Sequence, residues 1–180
     1  MTTILGISGS LRAGSINTAL LRTARELFPA DVELADIGGV PLYNGDVELQ
    51  GTPGAVVQLK HQLAEASGLL IASPEYNNSV PGVLKNTIDW LSRPSAGLEA
   101  VFRDKPVAIM GASPGGFGTV LAQSAWLPVF RSLGARHWSG GRLMVSGAGR
   151  VFDESGELTD PAIRERLEQF VGNFKAYCEA

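Results

Sequence analysis

Cysteine is nearly absent: one thiol, Cys178, stands close to the end of a chain of 180 residues. That excludes an intramolecular disulfide framework, a thiolate-rich metal centre, and a cysteine nucleophile in any loop farther up the chain. Histidine is scarce too, and His61 and His137 lie too far apart to form a ligand set. Charged residues make up only 18%, with a formal net charge of −3, which weighs against a general nucleic-acid binder. The same balance is too mild for a carrier recognised by acidity alone. No apolar run approaches the roughly 20 residues of a membrane span, and no basic segment followed by an apolar stretch opens the chain. The expectation is a single domain spanning residues 1–180 in a reducing cytoplasm, neither exported nor inserted.

What is plentiful is glycine, 22 residues of it, within a chain that is 44% hydrophobic and so able to bury a core. The densest use of small residues is Ile4 to Asn17. Ile4, Leu5 and Ile7 read as a buried parallel strand, which breaks into Gly9, Ser10, Arg12, Gly14 and Ser15. Ser15 is a good N-cap residue, and Ile16, Leu20, Leu21, Ala24, Leu27 and Phe28 recur at helical spacing after it. Free N–H groups at a helix start, with Arg12 beside them, favour an anion. The loop has no lysine for a Walker motif, and Gly6, Gly9 and Gly14 miss the dinucleotide fingerprint. A hydroxyl-rich phosphate cradle and a plain tight turn both remain open on this loop alone.

Val32 to Ile37 alternates as an edge strand, and Gly38 to Pro53 reads as a long loop holding Pro41, Leu42 and Tyr43. Val56, Leu59, Leu63 and Ala66 mark a second helix, on which His61 reads as a surface or interface residue, and Leu69 to Ala72 a third strand. A second polar loop follows, Ser73-Pro74-Glu75-Tyr76-Asn77-Asn78-Ser79, suited to a flat heteroaromatic ligand. Pro81 can open the next helix, whose Lys85, Asn86 and Asp89 read as structural or intersubunit groups and whose Trp90 reads as core or interface. Ser92 to Lys105 is a loop with Pro94, Gly97 and an apolar step at Leu98, Val101 and Phe102. Pro106 to Met110 forms the fourth strand, and Gly111 to Thr119 a third small-residue loop in which Ser113 and Gly116 can approach a ring closely. A helix then carries Val120 to Leu133, with Pro128 expected to kink or shorten it. Arg136 to Val145 holds the last strand, and Asp160 or Pro161 starts a closing helix over Ile163 to Phe174.

Strand and helix alternate throughout, which calls for a doubly wound α/β domain with helices on both faces. Ligand loops after strands one, three and four fit a five-stranded parallel sheet of flavodoxin-like order 2-1-3-4-5, which gathers them into one crevice. A phosphate in the first loop and a ring between the other two would suit a mononucleotide.

On these residues the chain resembles the NADPH-dependent FMN reductase family and, within it, the chromate and quinone reductase branch. The resemblance rests on Gly9-Ser10-Leu11-Arg12 with Ser15 and Asn17, on Pro74-Glu75-Tyr76-Asn77 with Ser79 and Pro81-Gly82, on Leu84-Lys85-Asn86 and Ile88-Asp89-Trp90, and on Ser113-Pro114-Gly115-Gly116. Phe152-Asp153-Glu154 with Gly156 and Leu158 is also similar. It implies FMN as cofactor and NADPH or NADH as hydride donor. By that resemblance Ser10, Arg12, Ser15, Ile16, Asn17 and Thr18 contact the phosphate and ribityl chain, while Pro74, Glu75, Tyr76 and Asn77, with Ser113 and Gly116, hold the isoalloxazine. It further implies a homodimer or homotetramer acting on small acceptors such as quinones, azo compounds, chromate or free flavin, with chemistry carried by flavin N5 and no catalytic side chain. Backbone N–H groups from Glu75 to Asn78 and from Ser113 to Gly116 are then expected to stabilise the reduced ring. His137-Trp138-Ser139-Gly140-Gly141 departs from the branch pattern. A flavodoxin-type electron carrier and a nonenzymatic phospholigand module are the alternatives on the same fold.

Overall fold

A computed structural model of the chain describes residues 2–94 and 101–180. Gly97 of the expected loop and Leu98 of its apolar step lie outside the described residues. Strands β1 (Ile4–Ser8), β2 (Val32–Ala35), β3 (Gly68–Ala72), β4 (Pro106–Ala112), β5 (Arg136–His137) and β6 (Leu143–Val145) form one parallel sheet. Its order is β2-β1-β3-β4-β5, with β6 also on β4, which is the flavodoxin-like order expected. The six helices of the described residues are α1 (Ile16–Leu27), α2 (Gly45–Gln50), α3 (Gly54–Glu65), α4 (Gly82–Leu91), α5 (Val120–Ser132) and α6 (Pro161–Glu179).

Successive strand residues feed opposite faces of the sheet, so the apolar runs read as doubly buried strands create two cores. Ile4, Leu70, Ala108 and Met110 pack under α1 and α6, against Leu20, Phe170 and Phe174. Leu5, Ile7, Leu69, Ile71 and Val107 pack on the other face, against Leu59, Leu84, Phe102, Trp126 and Phe130. The cap signals hold: the Ser15 hydroxyl accepts from Thr18 N–H at 3.2 Å, and the Asp160 carboxylate accepts from the N–H groups of Ala162 and Ile163.

Four details differ from the sequence reading. The last strand is broken: β5 pairs with Pro106 and Val107, β6 pairs with Met110 to Ala112, and residues 138–142 loop out between them. This is the segment that departs from the branch pattern, and the break opens a cleft of about 310 Å³ beside His137 and Arg142. Its physical reason is Trp138, whose indole turns down onto Phe170 and Phe174 and leaves no room for a Cβ at Gly140 or Gly141. The long loop after β2 contains α2, capped by the Asn44 side chain on Asp46 N–H. Pro81 sits at the N-cap of α4 rather than in its first turn. Finally, α5 continues through Pro128 to Ser132.

Residues read as structural on α4 are so placed. Lys85 and Asp89 pair at 2.7 Å, Trp90 is fully buried, and its indole N–H and the Asn86 amide both donate to Pro41 O at 2.8 Å. His61 pairs with Glu65 on the exposed face of α3.

Gly111 carries the close approach of β4 to the start of α5: a Cβ there would lie 2.1 Å from Thr119 Oγ1 and 2.5 Å from Ser73 O. Gly111→Ala is therefore expected to cost about 1–3 kcal/mol in denaturant unfolding, as overpacking does. Burial also holds the His137 imidazole below its usual range. Its neutral form is favoured in the fold, so stability present above about 6.5, the unfolded value, is lost as pH falls toward the folded pKa. Urea midpoints at pH 7.5 and 5 are expected to differ less in His137→Gln than in the parent chain.

Candidate functional site

The C-terminal ends of β1, β3, β4 and β6 border a cleft of about 330 Å³. It gathers nine of the twelve expected site residues: Ser10, Arg12, Ser15, Ile16, Asn17, Pro74, Glu75, Tyr76 and Ser113. Thr18, Asn77 and Gly116 do not line it.

At the first loop, Ser15 N–H donates to Arg12 O at 3.1 Å and Arg12 N–H donates to Ser10 Oγ at 3.3 Å, so the chain curls before α1 begins. Because a helix start has no internal acceptor for its first N–H groups, those of Ile16 and Asn17 are left to face the cleft. The Arg12 guanidinium has no side-chain partner among the described residues and stands beside them. Here Gly9 is needed for contact between loops, since a Cβ would lie 2.8 Å from Pro74 and 3.0 Å from Pro81.

Two residues expected to bind through their side chains are committed elsewhere. Asn17 is buried, its Nδ2 donating to Ala112 O at 3.0 Å and its Oδ1 accepting from Ala112 N–H at 2.9 Å. It clasps the end of β4 to α1 and leaves its backbone N–H as its donor to the cleft. Glu75 reaches across to α5, where one carboxylate oxygen accepts from Leu121 N–H at 2.8 Å and Ala122 N–H at 3.0 Å. Helix starts attract carboxylates for the same electrostatic reason that they attract phosphates.

Thr18 fails to join the cleft because its N–H is taken by Ser15 and its hydroxyl lies 2.7 Å from Ser8 Oγ, on the other side of the loop. Asn77 has a conformational role instead. Asn77 and Asn78 adopt φ of 51° and 60°, and Tyr76 and Ser79 exchange both backbone hydrogen bonds around them. That is a two-residue turn with left-handed centres, which asparagine tolerates best after glycine. The turn presents Tyr76, half-exposed, at the cleft while Asn77 faces solvent.

The backbone donors expected to face the ring are fewer than the sequence suggested. Tyr76 N–H is used in the turn, and Ser113 N–H donates to Val145 O at 2.9 Å. The third loop is stitched to the segment after β6 by Ala148 N–H to Ser113 O and Gly147 N–H to Gly115 O, both at 3.0 Å. This stitching carries Ala148 and Gly149, on a single turn of 3-10 helix, to the cleft wall. Sequence reading missed them, whereas Gly14, Ala112 and Pro114, which also line the cleft, lie in loops it had marked without naming them as contacts. The available signal was a fourth small-residue loop, Gly147-Ala148-Gly149, directly after the last strand.

The fold and cleft define a class: a flavodoxin-like α/β protein whose crevice has an anion-seeking helix start at one end and an aromatic, small-residue wall at the other. The sequence profile of NADPH-dependent FMN reductases matches residues 2–150. Among curated proteins, a NAD(P)H-dependent FMN reductase of Pseudomonas aeruginosa is 48% identical over 168 residues, covering 92% of this chain and 89% of that one. A 2-hydroxy-1,4-benzoquinone reductase of a Burkholderia species is 37% identical over 173 residues, covering 95% of this chain and 93% of that one. The solved flavoenzyme NAD(P)H:acceptor oxidoreductase FerB of Paracoccus denitrificans superposes with a TM-score of 0.88 at 31% identity, covering 99% and 98% of the two chains. The chain belongs to the NADPH-dependent FMN reductase family, and is thus an oxidoreductase that uses FMN and a nicotinamide donor.

The Asn17 clasp yields a graded test. Asn17→Ala removes two buried hydrogen bonds and is expected to cost about 1–3 kcal/mol. Asn17→Asp is expected to cost more, since a carboxylate oxygen then opposes Ala112 O. Chemical denaturation of the two FMN-free variants reads the order directly.

Proposed function

We propose that the chain catalyses two-electron reduction of quinones and similar small acceptors by NAD(P)H, in a ping-pong sequence in which the nicotinamide leaves before the acceptor enters the same cleft. The observation that carries this reading is the asymmetry of the crevice. One end offers the Ile16 and Asn17 N–H groups and the Arg12 guanidinium, and the other offers Tyr76, Pro74 and the Ser113–Pro114 wall. The donor set suits an FMN: a phosphate at α1 and a flat ring against the second and third loops. FMN, when bound, would supply hydride transfer: two electrons and one proton pass from NAD(P)H to the acceptor, and one further proton from solvent completes a quinol.

The protein's part is placement. Ile16, Asn17, Arg12 and Ser15 hold the phosphate end. The turn at Asn77 and Asn78 fixes Tyr76 at the ring end, and the stitched loops after β4 and β6 keep Ser113 beside it. Quinone reduction is favoured over reduction of azo compounds or chromate by the names of curated relatives such as the benzoquinone and quinone reductases. The exposed Leu42, Val47 and Leu49, the first and last at 83% and 87% of full exposure, support a homodimer or homotetramer built in part on α2. A single cytoplasmic FMN-binding domain completes the reading.

Anaerobic mixing of FMN-loaded protein with NADPH or NADH, followed by reoxidation with a quinone panel, tests it. Bleaching by a nicotinamide without a partner protein separates a reductase from an electron carrier. A protein that binds no FMN contradicts the assignment. Arg12→Ala is expected to lose about 1.5–3 kcal/mol of FMN affinity, the value of a charge-assisted hydrogen bond, in an equilibrium titration. Its FMN-free stability is expected to match that of the parent, because the Arg12 side chain has no partner to lose among the described residues.

A further inference from the structure

Ser10 and Arg12 line not only the cleft described above but also a second one, about 550 Å³, between α1 and the end of β2. Three guanidinium groups border this second cleft: Arg12 from the loop, and Arg22 and Arg25 from α1. Long side chains on a helix lean toward its N-terminus, so those of Arg22 and Arg25 are carried back toward the loop. None of the three makes an ion pair or side-chain hydrogen bond among the described residues. The adjacent Glu26 approaches Arg164 of α6, at 4.0 Å, rather than either arginine. Three guanidinium groups against the single carboxylate of Asp36 leave this hollow net positive, and an anion with several acidic oxygens relieves the repulsion between them.

The surroundings narrow the anion's identity. Asp36 stands at the C-terminal end of β2, its Oδ1 accepting from Gly38 N–H at 2.8 Å and its other oxygen available to a hydroxyl. Leu11, 57% exposed, adds an apolar surface on the same cleft. A group offering a phosphate, a ribose hydroxyl and a flat base together is a nucleoside phosphate, and in a reductase supplied by NAD(P)H that is the adenosine end of the donor. A phosphomonoester carries about −1.5 to −2 charges and three acceptor oxygens at neutral pH, which matches guanidinium forks better than a diester does.

We propose that this second cleft receives the 2′-phosphorylated adenosine end of NADPH, with Arg22 and Arg25 on the phosphomonoester, and that it makes the enzyme prefer NADPH to NADH. The inference rests on the reductase reading above. The shared wall at Ser10 and Arg12 joins the two clefts, so one extended dinucleotide can lie across both. NADH has a hydroxyl where NADPH has this phosphate and leaves the two arginines unused.

The test uses FMN-loaded protein and the variants Arg22→Ala, Arg25→Ala and their double. Both side chains are exposed and have no ion pair among the described residues, and an unchanged FMN dissociation constant certifies each variant's fold. Calorimetric titration with 2′,5′-ADP, which requires no turnover, is expected to weaken by about tenfold per arginine removed, as loss of a charge-assisted hydrogen bond predicts. The kcat/KM for NADPH is expected to fall with it, while that for NADH stays within about twofold. The proposal is overturned if 2′,5′-ADP binds no tighter than 5′-AMP, or if the variants lower NADPH and NADH utilisation equally. It is also overturned if inorganic phosphate binds as tightly as 2′,5′-ADP, which would make the cleft a general anion site. Arginine-dependent binding of 2′,5′-ADP by a protein that oxidises neither nicotinamide would support the cleft assignment and contradict the reductase reading.

Discussion

Two hydrogen bonds between the Asn17 carboxamide and the Ala112 peptide join the beginning of the site to its end. Without them α1 and the tip of β4 would be held only by apolar packing, which tolerates sliding. The amide supplies a donor and an acceptor to a peptide group at the very end of a strand, where ladder partners run out. The position of the α1 start relative to Ser113 follows from that clasp, and so does the span between the phosphate end and the ring end of the crevice.

Beneath the crevice the sheet is a stiff support because it is packed from both sides. Alternate residues of β1, β3 and β4 enter two separate apolar clusters, so shifting any strand by one residue would exchange the two sets. Polar pins supplement the packing. Trp126 N–H donates to Ser73 Oγ, which in turn donates to Pro74 O, fastening the second loop to α5 from below. Lys105 donates to Ala66 O and closes the opposite edge.

Most of the fold was legible because its signals are local and repeated: apolar runs too short for helices, N-caps at Ser15 and Asp160, and small-residue loops after each strand. What was not legible depends on contacts distant in sequence. The break between β5 and β6 follows from where Trp138 buries its ring. The membership of the site was readable to the level of loops but less well to the level of atoms. Asn17, Glu75 and Asn77 stand on or beside the crevice loops, yet the side chain or backbone of each serves the protein: a clasp, a helix cap and a turn former. A sequence shows that a carboxamide or carboxylate is near a site, but not whether a peptide group across the fold has already claimed it. Ala148 and Gly149 were missed because alanine and glycine carry no chemical signature and enter through backbone hydrogen bonds alone.

The Glu75 cap on α5 has an electrostatic consequence for how an elongated ligand can be oriented. Among the helices that begin at this sheet edge are α1 and α5, and each start carries a partial positive charge. The one at α5 is already matched by a full negative charge of the protein's own, whereas the first turn of α1 contains no acidic residue. Between these two starts the crevice is therefore polarised, and of the two it is the α1 end that is open to an anion. A molecule with a phosphate tail and a neutral ring enters a field that distinguishes its two ends before any specific contact forms.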